Sequence, residues 1–178
     1  MIRNTPIEYG LVTKVIHGSV MILVIGMLII GAVMNDIQNK ELQGLIYTIH
    51  ELTGLVVLTL GMIFALWSLN NQKPGYPINM PRWEQGLACI VRFALYFLLI
   101  AMPLSGWITS TAAGYAPDFF GYFTIPAPFI PLSKTLADNA AKIHYYLAWS
   151  FATSLGLHLL GALKHHFIDK NQILTRML

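Results

Sequence analysis

"IHYYLAWSFATSLGLH", Ile143 to His158, is the stretch that decides the fold. Apart from an imidazole near each end, it is apolar enough to sit in lipid. On an α-helix each residue turns about 100° and rises 1.5 Å, so the fourteen steps from His144 to His158 make four turns less about 40° and span roughly 21 Å. The two rings therefore share a face. Ala148, Phe151 and Leu155 lie along the same stripe, so the space between the rings is lined by small or apolar groups. A bulky group could bind at each end of it.

Working outward, the 178-residue chain is 56% hydrophobic and 11% charged, with a mean hydropathy of +0.60, too apolar for an ordinary soluble domain. Apolar stretches at 11–34, 43–69, 84–108 and 143–167 approach or exceed the roughly 20 residues needed to cross a bilayer. Backbone polar groups in hydrocarbon must be paired internally, so separate apolar spans mean helices rather than sheet. The expectation is an all-α protein, a single transmembrane domain over residues 1–178, folded as an up-down-up-down four-helix bundle. The first stretch exceeds the apolar core of a cleavable signal peptide and lacks a small-x-small site after it, so it is expected to stay in the mature protein.

Four spans put both termini on one side. Arg3, Lys14, Lys73, Arg82, Arg92, Lys164, Lys170 and Arg176 fall on or near that side, against Lys40, Lys134 and Lys142 opposite, and the positive-inside rule makes the termini cytoplasmic. The net charge of +3 reflects this topology, and no basic, aromatic-interleaved patch points to nucleic acid. The single Cys89 falls within a span, forms no intrachain disulfide, and reads as a packing residue.

The connection around Asn35 to Leu42 is short, and "NNQKPGYPINMPRW" from Asn70 reads as an irregular turn. The third, "TSTAAGYAPDFFGYFTIPAPFIPLSKTLADNAAK" from Thr109, is long, aromatic and proline-rich, and is expected to fold over the outer end. Ser133 is placed to cap a short helix through "KTLADNAAK" into the fourth span. Whether this loop is functional or a passive lid stays open. Gly26 and Gly31, Gly54 and Gly61, and Gly156 and Gly161 are candidates for close helix contact. Gly54, one turn beyond His50, would also let a flat ligand approach the backbone.

Four of the six histidines lie within spans and pair by depth: His17 with His158 towards the cytoplasmic side, His50 with His144 towards the other. Ionisable groups in a membrane are costly and usually mark a function. Neutral imidazole is a good iron ligand, and a haem between facing helices takes one ring from each side, so two such pairs make two haem b groups. No CxxCH motif provides covalent attachment. The rival is a zinc or copper transporter, for which two imidazoles per layer are few, although Glu51 could add a carboxylate to the outer layer. His165 and His166 read as solvated or headgroup-facing. Arg92, inside the third span, needs a counter-charge, which a haem propionate would supply, or else it snorkels to the boundary.

His17, "HELTG" from His50, "LYFLLIAMPLSGW" from Leu95, and His144, His158, "ALKHHF" and "LTRM" together resemble the bacterial cytochrome b561 family over nearly the whole chain. The resemblance implies a four-helix protein of the bacterial inner membrane with two bis-histidine b haems, carried here onto His17 with His158 and His50 with His144. It also implies electron exchange with a quinone such as ubiquinone. One branch of the family oxidises periplasmic superoxide, and Lys134 and Lys142 could attract that anion. The sequence departs from the family pattern in carrying Arg92 where a histidine is common, Tyr145 where an acidic residue often follows the ligand, and Phe64 and Ala65 where an arginine is expected. The expected function is a membrane electron-transfer oxidoreductase. The alternative is a haem-bearing anchor subunit that passes electrons for a soluble hydrogenase- or dehydrogenase-like partner.

Overall fold

The computed structural model describes residues 1–125 and 127–177; Pro126, in the third connection, and Leu178 lie outside the described residues. Four helices dominate: α1 Leu11–Val33, α2 Lys40–Leu69, α3 Arg82–Ala112 and α4 Lys134–Phe167, with a 3-10 turn at Met34–Asp36 after α1. All four are long and apolar enough to cross a membrane. Among the described residues the only β-type pairing is an isolated bridge between Asp118 and Thr124. α1 packs on α2, α2 on α3, and α3 on α4.

Side-chain caps fix two of the helix starts. The Asn39 side-chain oxygen Oδ1 accepts the Leu42 N–H at 2.9 Å, and the Ser133 hydroxyl oxygen accepts that of Leu136 at 3.3 Å, each satisfying a donor the helix itself leaves free. The serine cap starts α4 well before the apolar stretch at 143, so "KTLADNAAK" forms its first turns and the 34-residue helix runs unbroken. Lys164, His165 and His166 fall in its last turn, at the negative pole of the helix dipole.

Pro103 sits inside α3. Lacking an N–H, it leaves the Leu99 carbonyl without its helical donor. That carbonyl faces Gly61 of α2, where a Cβ would lie 3.1 Å from both Leu99 O and Leu99 Cβ, so Gly61 is where the two backbones come close. Gly26, Gly156 and Gly161 do not serve this purpose: a Cβ on any of them would meet nothing within 4 Å. Cys89 is likewise exposed rather than packed, on a stretch of α3 that also exposes Leu87, Ile90 and Phe93.

The core is Val20 and Val24 of α1, Val57 and Phe64 of α2, Leu98 and Leu99 of α3, and Phe151 of α4. Phe151 is seven residues from both His144 and His158, which sets this apolar layer between the two histidine levels. Ile22, Ile29, Ile63, Leu66, Phe93 and Leu160 point outward. In water this surface would drive aggregation; against acyl chains it is the expected exterior of a spanning bundle.

At the end that carries the termini, the Asn4 side-chain oxygen accepts from Gly10 N–H at 2.9 Å and from the Thr13 hydroxyl at 2.6 Å, and Trp67 Nε1 donates to Thr13 Oγ1 at 2.9 Å. A Cβ on Gly10 would sit 2.4 Å from the Ile2 carbonyl oxygen, so only glycine allows the first residues to lie against α1. Gly75, between α2 and α3, donates to Pro6 O at 3.1 Å, and its carbonyl accepts from Arg176 Nη1 at 2.7 Å. One loop residue thus ties down both ends of the described chain.

Candidate functional site

At one level of the bundle His50, from α2, faces His144, from α4, with ring centroids 6.3 Å apart and planes at 78°. His144 is firmly oriented by α3. Its Nδ1 lies 3.0 Å from the Met102 carbonyl oxygen and 3.0 Å from Ser105 Oγ, while the Ser105 hydroxyl donates to the same carbonyl at 2.7 Å. A carbonyl oxygen can only accept, so Nδ1 of a neutral ring carries the proton and Nε2 keeps its lone pair. Gly106 makes the approach possible, because a Cβ there would be 2.9 Å from His144 Cε1.

His50 is held differently. Gly31 of α1 abuts it, with a would-be Cβ 3.3 Å from its Cε1, and its Nδ1 is buried without a hydrogen-bond partner among the described residues. One turn further, a Cβ on Gly54 would meet only Met27 Cε, at 3.7 Å. Gly54 thus lies against Met27 at ordinary van der Waals distance.

At the other level His17, from α1, faces His158, from α4, with centroids 6.2 Å apart and planes at 58°. Phe64 of α2 stands edge-on to His17 at 6.3 Å and packs on Tyr96 at 5.3 Å. An aromatic side chain thus occupies the position where the resemblance leads one to expect an arginine. These contacts group the start of α1 with the far part of α4, and the early parts of α2 and α4 at the opposite level.

Arg92 of α3 is half-buried and hydrogen-bonds the Tyr76 hydroxyl, with its guanidinium carbon 5.3 Å from the Tyr76 ring centroid. Lys134 pairs with Asp138 at 2.7 Å, a fully surface contact one turn into α4, which offsets its charge. Lys142 is exposed two residues before His144 and enters none of the ion pairs found among the described residues.

His165 departs from expectation. It is 8% exposed, with Nδ1 2.8 Å from Asp169 Oδ2 and 3.0 Å from the Asn171 side-chain nitrogen, because the chain after α4 turns back over it. Lys164 reaches both Glu84 of α3, at 2.6 Å, and Asp169, at 3.0 Å. The Lys164 hydrogen bond holds the Asp169 carboxyl below the usual carboxylate range. Glu84, His165 and Asp169 present ligand atoms within 4.8 Å of one another, yet the Lys164 ammonium already bonds both carboxylates. The cluster is an ion-pair network joining α3 to α4. Neither histidine pair gathers a third ligating side chain among the described residues, Glu51 included.

Residues 8–178 match the sequence profile of the prokaryotic cytochrome b561 family. The chain belongs to that family. Cytochrome b561 homolog 2 of Escherichia coli K12 is 34% identical over 178 residues, covering 98% of this chain and 93% of the relative. A probable superoxide oxidase CybB of Yersinia pestis is 31% identical over 130 residues, 73% of each chain. Cytochrome b561 homolog 1 of E. coli K12 is 30% identical over 103 residues, 55% of this chain and 54% of that one. As a cytochrome b561 the protein is a multi-pass inner-membrane electron-transfer protein of the haem b class, with lipid around its helices and a quinone-type partner implied.

Sequence reasoning missed Ser105, the Met102 carbonyl and Gly106. All three lie within the "LYFLLIAMPLSGW" stretch that carried the resemblance. A serine and glycine two and three residues after a proline in an apolar span were the available signal, but their contact with His144 depends on how α3 is rotated against α4.

Proposed function

We propose that this cytochrome b561 carries two b haems in stacked layers, held by His17 with His158 and by His50 with His144, and relays electrons between the two ends of the bundle. The observation that carries the reading is the spacing of the rings. An imidazole nitrogen bonds a first-row metal at about 2 Å and lies about 1.1 Å from its ring centre, so two rings on opposite sides of one metal have centroids roughly 6 Å apart. The observed separations are 6.2 and 6.3 Å, which keep the ring nitrogens about 4 Å or more apart, too far for a direct hydrogen bond.

The donors fit as well. His144 offers Nε2 with Nδ1–H engaged, the arrangement that fixes a ligand's tautomer and raises its basicity. Gly31 and Gly106 leave the rings room. When bound, haem iron supplies reversible one-electron chemistry; the protein supplies ligands, orientation and a dry interior. The apolar layer of Val24, Val57, Leu98 and Phe151 excludes water between the two levels.

The termini lie on the cytoplasmic side in this reading, supported by the excess of lysine and arginine there. The His50 and His144 level then faces the periplasm. Superoxide is the donor suggested by the relative named as a probable superoxide oxidase. Two superoxide anions give up one electron each, become two O2, and a quinone takes both electrons with two protons to become the quinol. Lys142, near His144 and in no ion pair among the described residues, is better placed than Lys134 to attract the anion, since Asp138 offsets Lys134. Haem quantification with a redox titration of the purified protein tests the proposal. Two haems per chain and two one-electron transitions are expected; a colourless preparation or a single haem overturns it.

A further inference from the structure

The third connection, between Ala112 and Ser133, is closed at its base by the Ser133 N–H donating to the Ala112 carbonyl at 3.0 Å. Its level relative to the membrane follows from the helices. Gly106 touches His144, so at 1.5 Å per residue Ala112 lies about 9 Å further along α3. On α4, Lys142 and Asp138 lie about 3 and 9 Å beyond His144 in the same direction, and Asp36, in the 3-10 turn after α1, lies about 9 Å beyond Gly31, which touches His50. Charged residues return to the chain over these few ångströms. The loop therefore leaves the bundle at the boundary between hydrocarbon and water.

Its composition does not suit water. Asp118 is the only charged residue between Ala112 and Ser133, and its carboxylate accepts the Gly121 N–H at 2.7 Å within the turn. Phe120 and Gly121 both take positive φ, 51° and 80°, making the tight reversal that the Asp118 to Thr124 bridge closes. Pro117 is fully buried, and Ile125 N–H donates to its carbonyl at 2.8 Å, so the turn is a built element. From this scaffold Tyr115, Phe120, Tyr122, Phe123 and Phe129 project, 76%, 53%, 84%, 56% and 81% exposed. On α4, Tyr145, Tyr146 and Trp149 continue exposed aromatic surface at the same end.

We infer that this loop is an interfacial anchor, lying in the headgroup region of the leaflet at the His50 and His144 end with its aromatic side chains inserted among lipids. The occupant of the surface is lipid because the loop continues, in level and in chemistry, the lipid-facing exterior of α3 and α4. Aromatic rings with a polar edge or an adjacent backbone settle where hydrocarbon meets headgroups, and low charge with high aromatic content distinguishes such an anchor from a soluble loop. A loop committed sideways to the leaflet does not serve as a lid over the bundle. The inference is independent of whether the histidines ligate haem.

Spin-label accessibility tests it. In a Cys89→Ser background, nitroxides are placed at Tyr122→Cys and, separately, at Phe129→Cys, and the labelled proteins are reconstituted in phosphatidylethanolamine and phosphatidylglycerol vesicles. Both substituted side chains are largely uncovered by protein, so the fold is spared, and two sites keep the test alive should one variant fail. The native Cys89, exposed on α3, gives the lipid reference, and a label at the exposed Lys134→Cys gives the aqueous one. Collision with oxygen is expected to match the Cys89 reference, with collision with a water-soluble nickel chelate severalfold weaker than at Lys134→Cys. Nickel collision equal to the aqueous reference places the loop in water and overturns the inference. Weak collision with both agents shows protein covering the loop, a second copy or the bundle itself, and overturns it too.

Discussion

Ser105 Oγ of α3 lies 3.0 Å from Nδ1 of His144 on α4, and both share the Met102 carbonyl oxygen. The ring is thus aimed by a neighbouring helix rather than by its own. Hydrogen bonding at Nδ1 makes the opposite nitrogen a stronger electron donor, which favours ferric over ferrous iron.

Ser105→Ala removes one of the two acceptors and leaves the carbonyl. One neutral hydrogen bond contributes about 0.5–1.5 kcal/mol, so the potential of the haem at His144 should rise by on the order of 20–60 mV while haem content is retained. A potentiometric titration followed at the α-band reads this directly. An unchanged potential would show that the hydroxyl does not influence the ligand.

Gly106→Ala places a methyl 2.9 Å from His144 Cε1. Alanine is better than glycine in a helix by about 1 kcal/mol, so the apoprotein should fold at least as well. Haem content should nevertheless fall towards one per chain as the ring is pushed off its carbonyl. Gly86→Ala, where a Cβ meets nothing within 4 Å, is the control and should keep both haems.

His158→Ala should remove only the haem shared with His17, and His144→Ala only the one shared with His50. Pyridine haemochrome assay gives the stoichiometry, and the surviving potential identifies the layer. Two haems retained in either variant would refute the pairing.

Arg92→Leu should lower the potential of the haem at the His17 and His158 level, because a positive charge nearby favours the reduced iron. At an effective dielectric of about 20, a charge roughly 10 Å away contributes about 1.7 kcal/mol, on the order of 70 mV for one electron. Tyr76→Phe, which frees the guanidinium from its hydroxyl partner, should move the same potential by less. A titration that leaves this haem unmoved in Arg92→Leu would place the arginine away from it.

Asp169→Asn probes the ion-pair network between α3 and α4. The Asp169 carboxyl is held below its usual range by Lys164, so its stabilising contribution is present above the ordinary carboxylate pKa of about 4 and is lost as the pH falls through the depressed folded value. The variant should melt below the parent at neutral pH, and the difference should close in acid. A gap that is constant with pH would assign the loss to packing.

How much of this was legible in sequence depends on the range of the contact. Helix existence follows from apolar length, and the Ser133 cap follows from residues three apart. The matched depths of the four histidines followed from counting along each span. Rotation about each helix axis is another matter: it decides that Gly61 and Gly106 touch neighbours while Gly156 and Gly161 do not, and that Cys89 faces outward. His165 was misjudged because its burial depends on Asp169 and Asn171 folding back beyond the helix end. Lys164 and Glu84 are 80 residues apart, and no local pattern announces their contact.

α4 contributes a ring to both histidine pairs from one unbroken helix, so the two pairs share an axle. Adding one residue between Ala148 and Leu155 would turn His144 about 100° relative to His158, and no adjustment of α1 or α2 alone could restore both partnerships. Insertions elsewhere, in the connections, leave this phase untouched. Residues can therefore be added in the loops without disturbing either pair, while the fourteen-residue interval on α4 is set by rotation as much as by length.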